Sequence, residues 1–288
     1  MGRLNNIIRL LRPKHWVKGM FLFAAPFFGG ELLSWGTLSA APIAFLAFSF
    51  AASASYIIND IADRKTDRLH PDKRQRPIAS GEVSIATGTA IVALLLTVSA
   101  AMSYFINYTF LAYIIVYLSI QTFYSMSFKN TAVLDIFCIA SGFVVRVLAG
   151  GAAFAVPISD WLFLSMFMIS LMLATGKRIG EAKLLHENAA AHRESLTGFT
   201  PGLLNDILLI TAAASLVFYA MYTIEQYKNF LYTVPVVTFG LFRYLMLAKE
   251  GRGDPTDAMT GDRLLSLTVI LWLLSVGIIR YGRLWGIN

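Results

Sequence analysis

Charge is scarce in this chain. Only 14% of its 288 residues are Asp, Glu, Lys or Arg, against roughly 25% in a soluble domain. That excludes an ordinary water-facing globule and points to a bilayer as the solvent. Cysteine is scarcer still: Cys138 is the only thiol and falls inside an apolar run. There is no disulfide framework, and nothing about redox compartment can be read from it. The four histidines, His15, His70, His186 and His192, are scattered along the chain and form no histidine-centred acid–base dyad. The basic, amphipathic N-terminus has no small-residue cleavage site, so no cleavable leader is expected.

Apolar sequence is what abounds. The hydrophobic share is 57% and mean hydropathy is +0.63. Runs long enough to span a bilayer (about 17–25 residues) fall near 17–35, 38–58, 83–105, 109–125, 131–154, 160–178, 203–223, 229–248 and 264–281. They predict one all-α polytopic membrane domain over residues 1–288, with nine transmembrane helices around a lipid-accessible cavity. Basic residues orient it. With the N-terminus inside, 20 of the 24 Lys and Arg fall on the cytoplasmic side and three outside, with Arg146 within a span. The net charge of +7 therefore reflects orientation and anionic ligands, and nucleic acid is not an expected partner. Homo-oligomerisation is compatible with the sequence but not specified by it.

The remaining polar residues share the cytoplasmic end. Asn59 and Asp60 close the second run, Gln121, Tyr124 and Ser125 the fourth, and Lys177 and Arg178 the sixth; Asp135, Asp206 and Asp262 stand at the starts of others. A transporter distributes polar groups through the midplane of its bundle. One-sided polarity favours an enzyme with a cytoplasm-facing site.

The densest charge lies at 59–81, NDIADRKTDRLHPDKRQRPIASG. On a helix continuing the second run, Asp60, Asp63 and Asp67 project at about 0°, −60° and −20°, one narrow stripe. Three unpaired carboxylates repel, and a divalent cation relieves the repulsion; hard oxygen ligands suit Mg²⁺, which keeps sites for water and substrate phosphate. Arg64 and Arg68 flank the stripe, His70-Pro71 ends the helix, and Lys73, Arg74 and Arg76 follow in a loop. An acidic stripe beside a basic loop suits a metal-bound diphosphate; the plainer reading is a solvated helix with i,i+4 ion pairs such as Asp60–Arg64.

NDIADRKTD resembles the N-D-x-x-D-x-x-x-D signature of the UbiA superfamily of intramembrane prenyltransferases, and nine helices suit that fold. Within the superfamily, RPKHWVK (12–18), DRLHPDKRQRPIASG (67–81), YSMSFKNTAVLDIFCIASGFVVRVLAG (124–150), GKRIGE (176–181) and FRYLMLAKEGRGDPTDAMTGDRLL (242–265) are similar to the decaprenyl-phosphate phosphoribosyltransferase family. That resemblance implies transfer of 5-phosphoribose from phosphoribosyl pyrophosphate to a polyprenyl phosphate with release of pyrophosphate. It also implies a multi-pass protein of the inner (plasma) membrane with a cytoplasmic active site, serving a cell-envelope pentose pathway of the arabinan type. The alternative is an aromatic-acceptor prenyltransferase using a polyprenyl diphosphate. A second aspartate-rich motif, usual in the superfamily, is missing after the sixth run, where Lys177, Arg178 and Glu181 stand instead.

On this reading Asn59, Asp60, Asp63 and Asp67 hold Mg²⁺, and Asp60, Asp63, Asp67, Lys177 and Arg178 carry catalysis. Lys14, Lys73, Arg76, Tyr124, Lys129 and Glu181 bind the two phosphorylated substrates. Some have a plainer role: Lys177–Glu181 as an i,i+4 pair, Lys14 as a topology anchor beside Trp16, Tyr124 as an interfacial-belt tyrosine. Asp135 is expected to support the site indirectly. Arg146 is expected to pack within the bundle, far from the chemistry. Gly142, Gly150 and Gly151 leave room for a lipid tail or serve close packing. The segment 251–262 is a lid or, more simply, a connector.

Overall fold

A computed structural model of the protein describes residues 2–69, 73–126, 128, 131–185, 198–226 and 228–282. Among the described residues every regular element is helical. Eight segments are long and apolar enough to cross a membrane: Trp35–Ala62, Ile85–Ile106, Tyr108–Met126, Leu134–Ala153, Asp160–Lys183, Gly202–Gln226, Asn229–Lys249 and Arg263–Tyr281. This is a multi-pass membrane protein. In chain order the helices are α1 (Arg3–Leu11), α2 (Ala24–Gly29), α3 (Trp35–Ala62), α4 (Arg64–Leu69), α5 (Pro77–Ser80), α6 (Ile85–Ile106), α7 (Tyr108–Met126), α8 (Leu134–Ala153), α9 (Asp160–Leu185), α10 (Pro201–Gln226), α11 (Val234–Lys249), α12 (Pro255–Gly261) and α13 (Arg263–Tyr281).

The first of the nine expected spans, 17–35, is helical but is not one continuous α-helix: it runs from Arg12, bonded to Asp60 at the end of α3, back to Ser34, which caps the start of α3. Pro13–Phe23 form a 3₁₀ helix, α2 has six residues, and Gly30 ends it at φ 81°. Pro26 has no N–H to continue a helical ladder, and Gly30 takes the left-handed conformation that a side chain resists. The apolar residues are used for packing instead. Leu22 and Phe28 are buried, and Phe23 stacks on Phe45 and Phe154. A Cβ on Gly150 would lie 1.8 Å from the Leu22 carbonyl oxygen, so of the two uses for the α8 glycines, Gly150 serves close packing.

The chain forms two compact units, Met1–Phe128 with Val145–Pro157 and Lys129–Val144 with Ile158–Asn288, so α8 contributes to both. In the first unit α3 packs on α6 and α7. The amphipathic α1 inserts Leu10, fully buried, among Ala54, Ile57, Ile78, Val83 and Leu95. Burying one leucine from water is worth about 1.5–3 kcal/mol, enough to seat α1 beside the end of α3. Arg9 adds an ion pair to Glu82 (2.8 Å) and donates to the Gln75 carbonyl (2.5 Å), tying α1 to the loop before α5.

In the second unit α9 packs on α10 and α11 on α13, around Ile136, Met172, Leu208 and Leu247. Asp262 caps α13, accepting from the Leu265 N–H at 2.8 Å, and receives two hydrogen bonds from Arg243 at 2.6 and 3.1 Å. These donors hold its carboxyl down from 3.8 to about 2, the Arg243 hydrogen bond foremost. A carboxyl depressed on folding stabilises the fold above its ordinary value and loses that contribution as pH falls through the lowered one. The melting-temperature gap between wild type and Asp262→Asn is therefore expected at neutral pH and should close between about pH 4 and pH 2. A gap that ignores pH would mean that capping geometry, not charge, is what Asp262 supplies.

Candidate active site

The acidic stretch is built on the end of α3. The helix stops at Ala62, one residue short of Asp63, and α4 resumes at Arg64. The expected uninterrupted helix over 59–68 is thus broken once, though its hydrogen bonding persists across the break: Asp63 N–H to Asn59 O and Asp67 N–H to Asp63 O, both 2.8 Å. That continuity keeps Asp60 and Asp67 on one side. Both are buried, at 1% and 3% exposure.

Buried carboxylates need partners, and here they are arginines. One Arg76 nitrogen, Nη1, donates to Asp60 at 3.0 Å and to Asp67 at 2.8 Å. Arg12 Nη2 donates to both Asp60 oxygens, at 2.6 and 2.8 Å. Asp63 stands apart, half-buried, accepting from the Asn59 amide at 3.1 Å. So two of the three carboxylates converge and the third does not, and the expected repulsion is relieved by guanidinium groups. The plainer pairing Asp60–Arg64 is not what forms; Arg68 donates to the Ala79 carbonyl at 2.9 Å.

Among the described residues no three His, Cys, Asp or Glu side chains gather as a metal site. The donor set nonetheless fits a hard divalent ion: all are oxygen donors, and Asp60 and Asp67 already converge on a single cationic nitrogen.

Of the other expected site residues, Lys14 is exposed in the 3₁₀ segment, Lys73 opens the 3₁₀ turn Lys73–Gln75, and Tyr124, with buried Ser125, lies in the last turn of α7. Lys129 and the pair His70-Pro71 fall outside the described residues. Arg12, which composition presents only as one more basic residue, is the member of this cluster that sequence reasoning missed. Its backbone is left-handed, φ 54° and ψ 56°, costly for a residue bearing a Cβ and the one local sign of its special role. Its guanidinium also covers the Tyr56 ring at 5.4 Å.

Arg146, in α8, packs against α3 and α7. It donates to the Tyr117 hydroxyl at 3.0 Å and lies over the Phe48 and Tyr117 rings. Tyr56, one turn before Asp60, interacts electrostatically with Arg12, Arg146 and Tyr117 alike. Packing against the Phe48 and Tyr117 rings is what the structure shows for Arg146, as expected.

In the second unit the residues of the basic motif form ion pairs. Arg178, 1% exposed, forms two hydrogen bonds to Asp135, one at 2.9 Å, and a further ion pair to Glu181. Asp135 and Glu181 thus engage donors of Arg178; the same contacts give Glu181 a cationic partner and make Asp135 the anchor of Arg178. Lys177 pairs with Asp254 at 3.4 Å, both about one-third exposed, rather than with Glu181.

That contact belongs to a docked segment. Residues 251–262 include α12, and Tyr244 donates to the Gly253 carbonyl at 2.8 Å. A Cβ on Gly253 would come within 1.9 Å of the Gly176 carbonyl oxygen. The motif GKRIGE thus carries the glycine faces against which 251–253 pack, so the segment is a pinned connector.

The fold defines the class. It superposes on the structure of a UbiA homolog from Archaeoglobus fulgidus bound to GPP and Mg²⁺ with a TM-score of 0.78, 20% identity, and 96% of this chain and 99% of that one covered. A digeranylgeranylglyceryl phosphate synthase structure matches with a TM-score of 0.71 and 18% identity, covering 98% of this chain and 100% of that one. The chain belongs to the UbiA prenyltransferase family, whose model matches residues 19–267, and it is a membrane transferase. It is 33% identical to the decaprenyl-phosphate phosphoribosyltransferase of Mycobacterium tuberculosis over 281 residues, 94% of this chain and 93% of that protein. The protein of that name from Corynebacterium glutamicum is likewise 33% identical over 285 residues, 94% of this chain and 86% of that protein.

Proposed function

We propose that the whole chain acts as one membrane transferase that moves 5-phosphoribose from phosphoribosyl pyrophosphate to a polyprenyl phosphate and releases pyrophosphate. The observation that carries this reading is the convergence of buried Asp60 and Asp67 on one cationic nitrogen of Arg76. Full-length similarity to decaprenyl-phosphate phosphoribosyltransferases supports the choice of substrates, and the Mg²⁺-bound relatives support a divalent metal.

Asn59, Asp60, Asp63 and Asp67 would hold Mg²⁺, which when bound supplies positive charge to the leaving pyrophosphate. Arg76, Lys73 and Lys14 bind phosphate oxygens by charge-assisted hydrogen bonds, and Tyr124 adds a hydroxyl. The ribose C1–O bond breaks with its electron pair passing to pyrophosphate, and an oxygen of the acceptor phosphate forms the new bond to C1. A phosphate monoester, with its second pKa about 6, is already anionic at neutral pH, so no side chain need remove a proton. This fits a site of carboxylates and arginines. Lys177, partly exposed, remains a phosphate ligand in this reading, whereas Arg178 supports it by holding Asp135 and Glu181. The bias of basic residues assigns the end of α3 to the cytoplasmic face of the plasma membrane, and the product would feed cell-envelope pentose assembly.

Calorimetry in detergent tests it. Phosphoribosyl pyrophosphate is expected to bind only with Mg²⁺, and polyprenyl monophosphate to bind substantially without it, because metal on the nucleophile would lower its reactivity. Incubating both should place labelled ribose in the lipid fraction. Mg²⁺-dependent binding of a prenyl diphosphate, with no affinity for the sugar donor, would instead establish an aromatic-acceptor prenyltransferase.

A further inference from the structure

We infer that Arg12 is a donor-binding residue that works by exchanging partners with the metal. In the free protein Arg12 and Arg76 neutralise Asp60 and Asp67; on donor binding both guanidiniums pass to the pyrophosphate oxygens, and the freed carboxylates turn to the metal. The inference rests on the function proposed above and extends it to a residue that reading does not use.

Three observations lead here. First, the oxygens that a metal would need are taken. Both Asp60 oxygens accept from Arg12, and one of them also from Arg76, which bonds Asp67 as well. Metal and guanidinium cannot hold the same lone pairs, so binding one displaces the other. Second, the arginines are less buried than the acids. Their side chains are 21% and 25% exposed, against 1% for Asp60 and 4% for Asp67. A charged group at the rim can swing onto a ligand without crossing the core, while the buried carboxylates stay in place to receive the metal. Third, Arg12 holds its pose from a left-handed backbone, φ 54°. Such a conformation persists only where its surroundings over-determine it, and Leu10 beside it is fully buried while Pro13 follows it.

The exchange has a chemical consequence. Two buried carboxylates carrying two guanidiniums are balanced without metal, so the free site resists a bare cation. An incoming pyrophosphate brings the negative charge that draws the arginines away and the oxygens that complete the metal's shell. Metal and donor then each strengthen the binding of the other.

Manganese with inorganic pyrophosphate as probe, read by the electron paramagnetic resonance of free Mn²⁺ over the purified full-length protein, tests this without turnover. Wild type is expected to bind Mn²⁺ alone weakly and, with pyrophosphate, at least about tenfold more tightly. Arg12→Gln, which leaves Asp60 its Arg76 contact, should bind Mn²⁺ alone about tenfold more tightly than wild type and gain less from pyrophosphate. A purely structural ion pair predicts the opposite sign, since losing it loosens the acidic cluster. Metal-alone affinity that is unchanged or weakened in Arg12→Gln, while wild type still gains from pyrophosphate, overturns the exchange and leaves the transferase reading standing. No Mn²⁺ binding by wild type with either pyrophosphate or phosphoribosyl pyrophosphate overturns both. Should Arg12→Gln not fold, Arg12→Lys decides: a lysine makes a point contact rather than spanning two oxygens, so metal-alone binding must still rise, by less.

Discussion

Arg178→Ala is expected to lower the stability of the protein by about 3–5 kcal/mol, the usual cost of removing one member of a buried ion pair. Its guanidinium is 1% exposed and its chief partner, Asp135, is 0% exposed, so alanine takes the bidentate cation from a carboxylate that water does not reach. Glu181, 28% exposed, loses less because solvent reaches it. In detergent the melting temperature should drop by roughly 10 °C. Arg178→Lys should recover part of the loss, restoring charge without the planar fork that meets both Asp135 oxygens. Adding Asp135→Asn to Arg178→Ala should cost less than the two separate losses combined, because the orphaned charge goes with its partner. A drop of less than about 2 °C in Arg178→Ala would mean that Asp135 is solvated or protonated and that the pair is not what joins α8 to α9.

Asp63→Asn should do the reverse, silencing the transferase while leaving the fold intact. Asp63 is half-buried, caps the C-terminus of α3 and lies outside the arginine-bridged pair. A carboxylate at a helix C-terminus opposes the helix dipole, so an isosteric neutral amide should hold or slightly raise the melting temperature. Asparagine still offers one oxygen but not the negative charge a divalent ion needs. A loss of about 3 kcal/mol in metal-assisted stabilisation corresponds to roughly 100-fold in rate. Product formation by Asp63→Asn within about threefold of wild type at ordinary Mg²⁺ would remove Asp63 from the metal site. The pair of variants thus separates fold from chemistry: one melts early, the other melts normally and does not turn over.

Much of this architecture was legible in residue order. The spans beginning at Trp35, Ile85, Tyr108, Leu134, Asp160, Gly202, Asn229 and Arg263 correspond to eight of the nine apolar runs, because a helix in lipid must satisfy its own backbone and length alone identifies it. The remaining run, 17–35, is helical as well, but hydropathy does not register backbone geometry: Pro26 and Gly30 lie in it, and it changes from 3₁₀ to α helix at Ala24. The acidic signature at 59–67 was likewise readable, as was its rough placement at a helix end. Its 3.6-residue period correctly sets Asp60 and Asp67 on one side.

What each charge touches was not readable. Arg12 lies 48 residues from Asp60 and Arg178 lies 43 residues from Asp135. Helical periodicity reports only the faces of a residue's own helix, so it suggested the neighbours Asp60–Arg64 and Lys177–Glu181, which do not pair. By itself the sequence determined that this is a helical membrane transferase with carboxylates at a helix end. Only the tertiary structure decided that Arg12 and Arg76 neutralise Asp60, that Arg178 is a buried strut, and that the glycines of GKRIGE receive the 251–253 segment. The reason is physical: a buried charge takes whichever opposite charge packing brings within hydrogen-bond reach, and that choice is made between elements far apart in the chain.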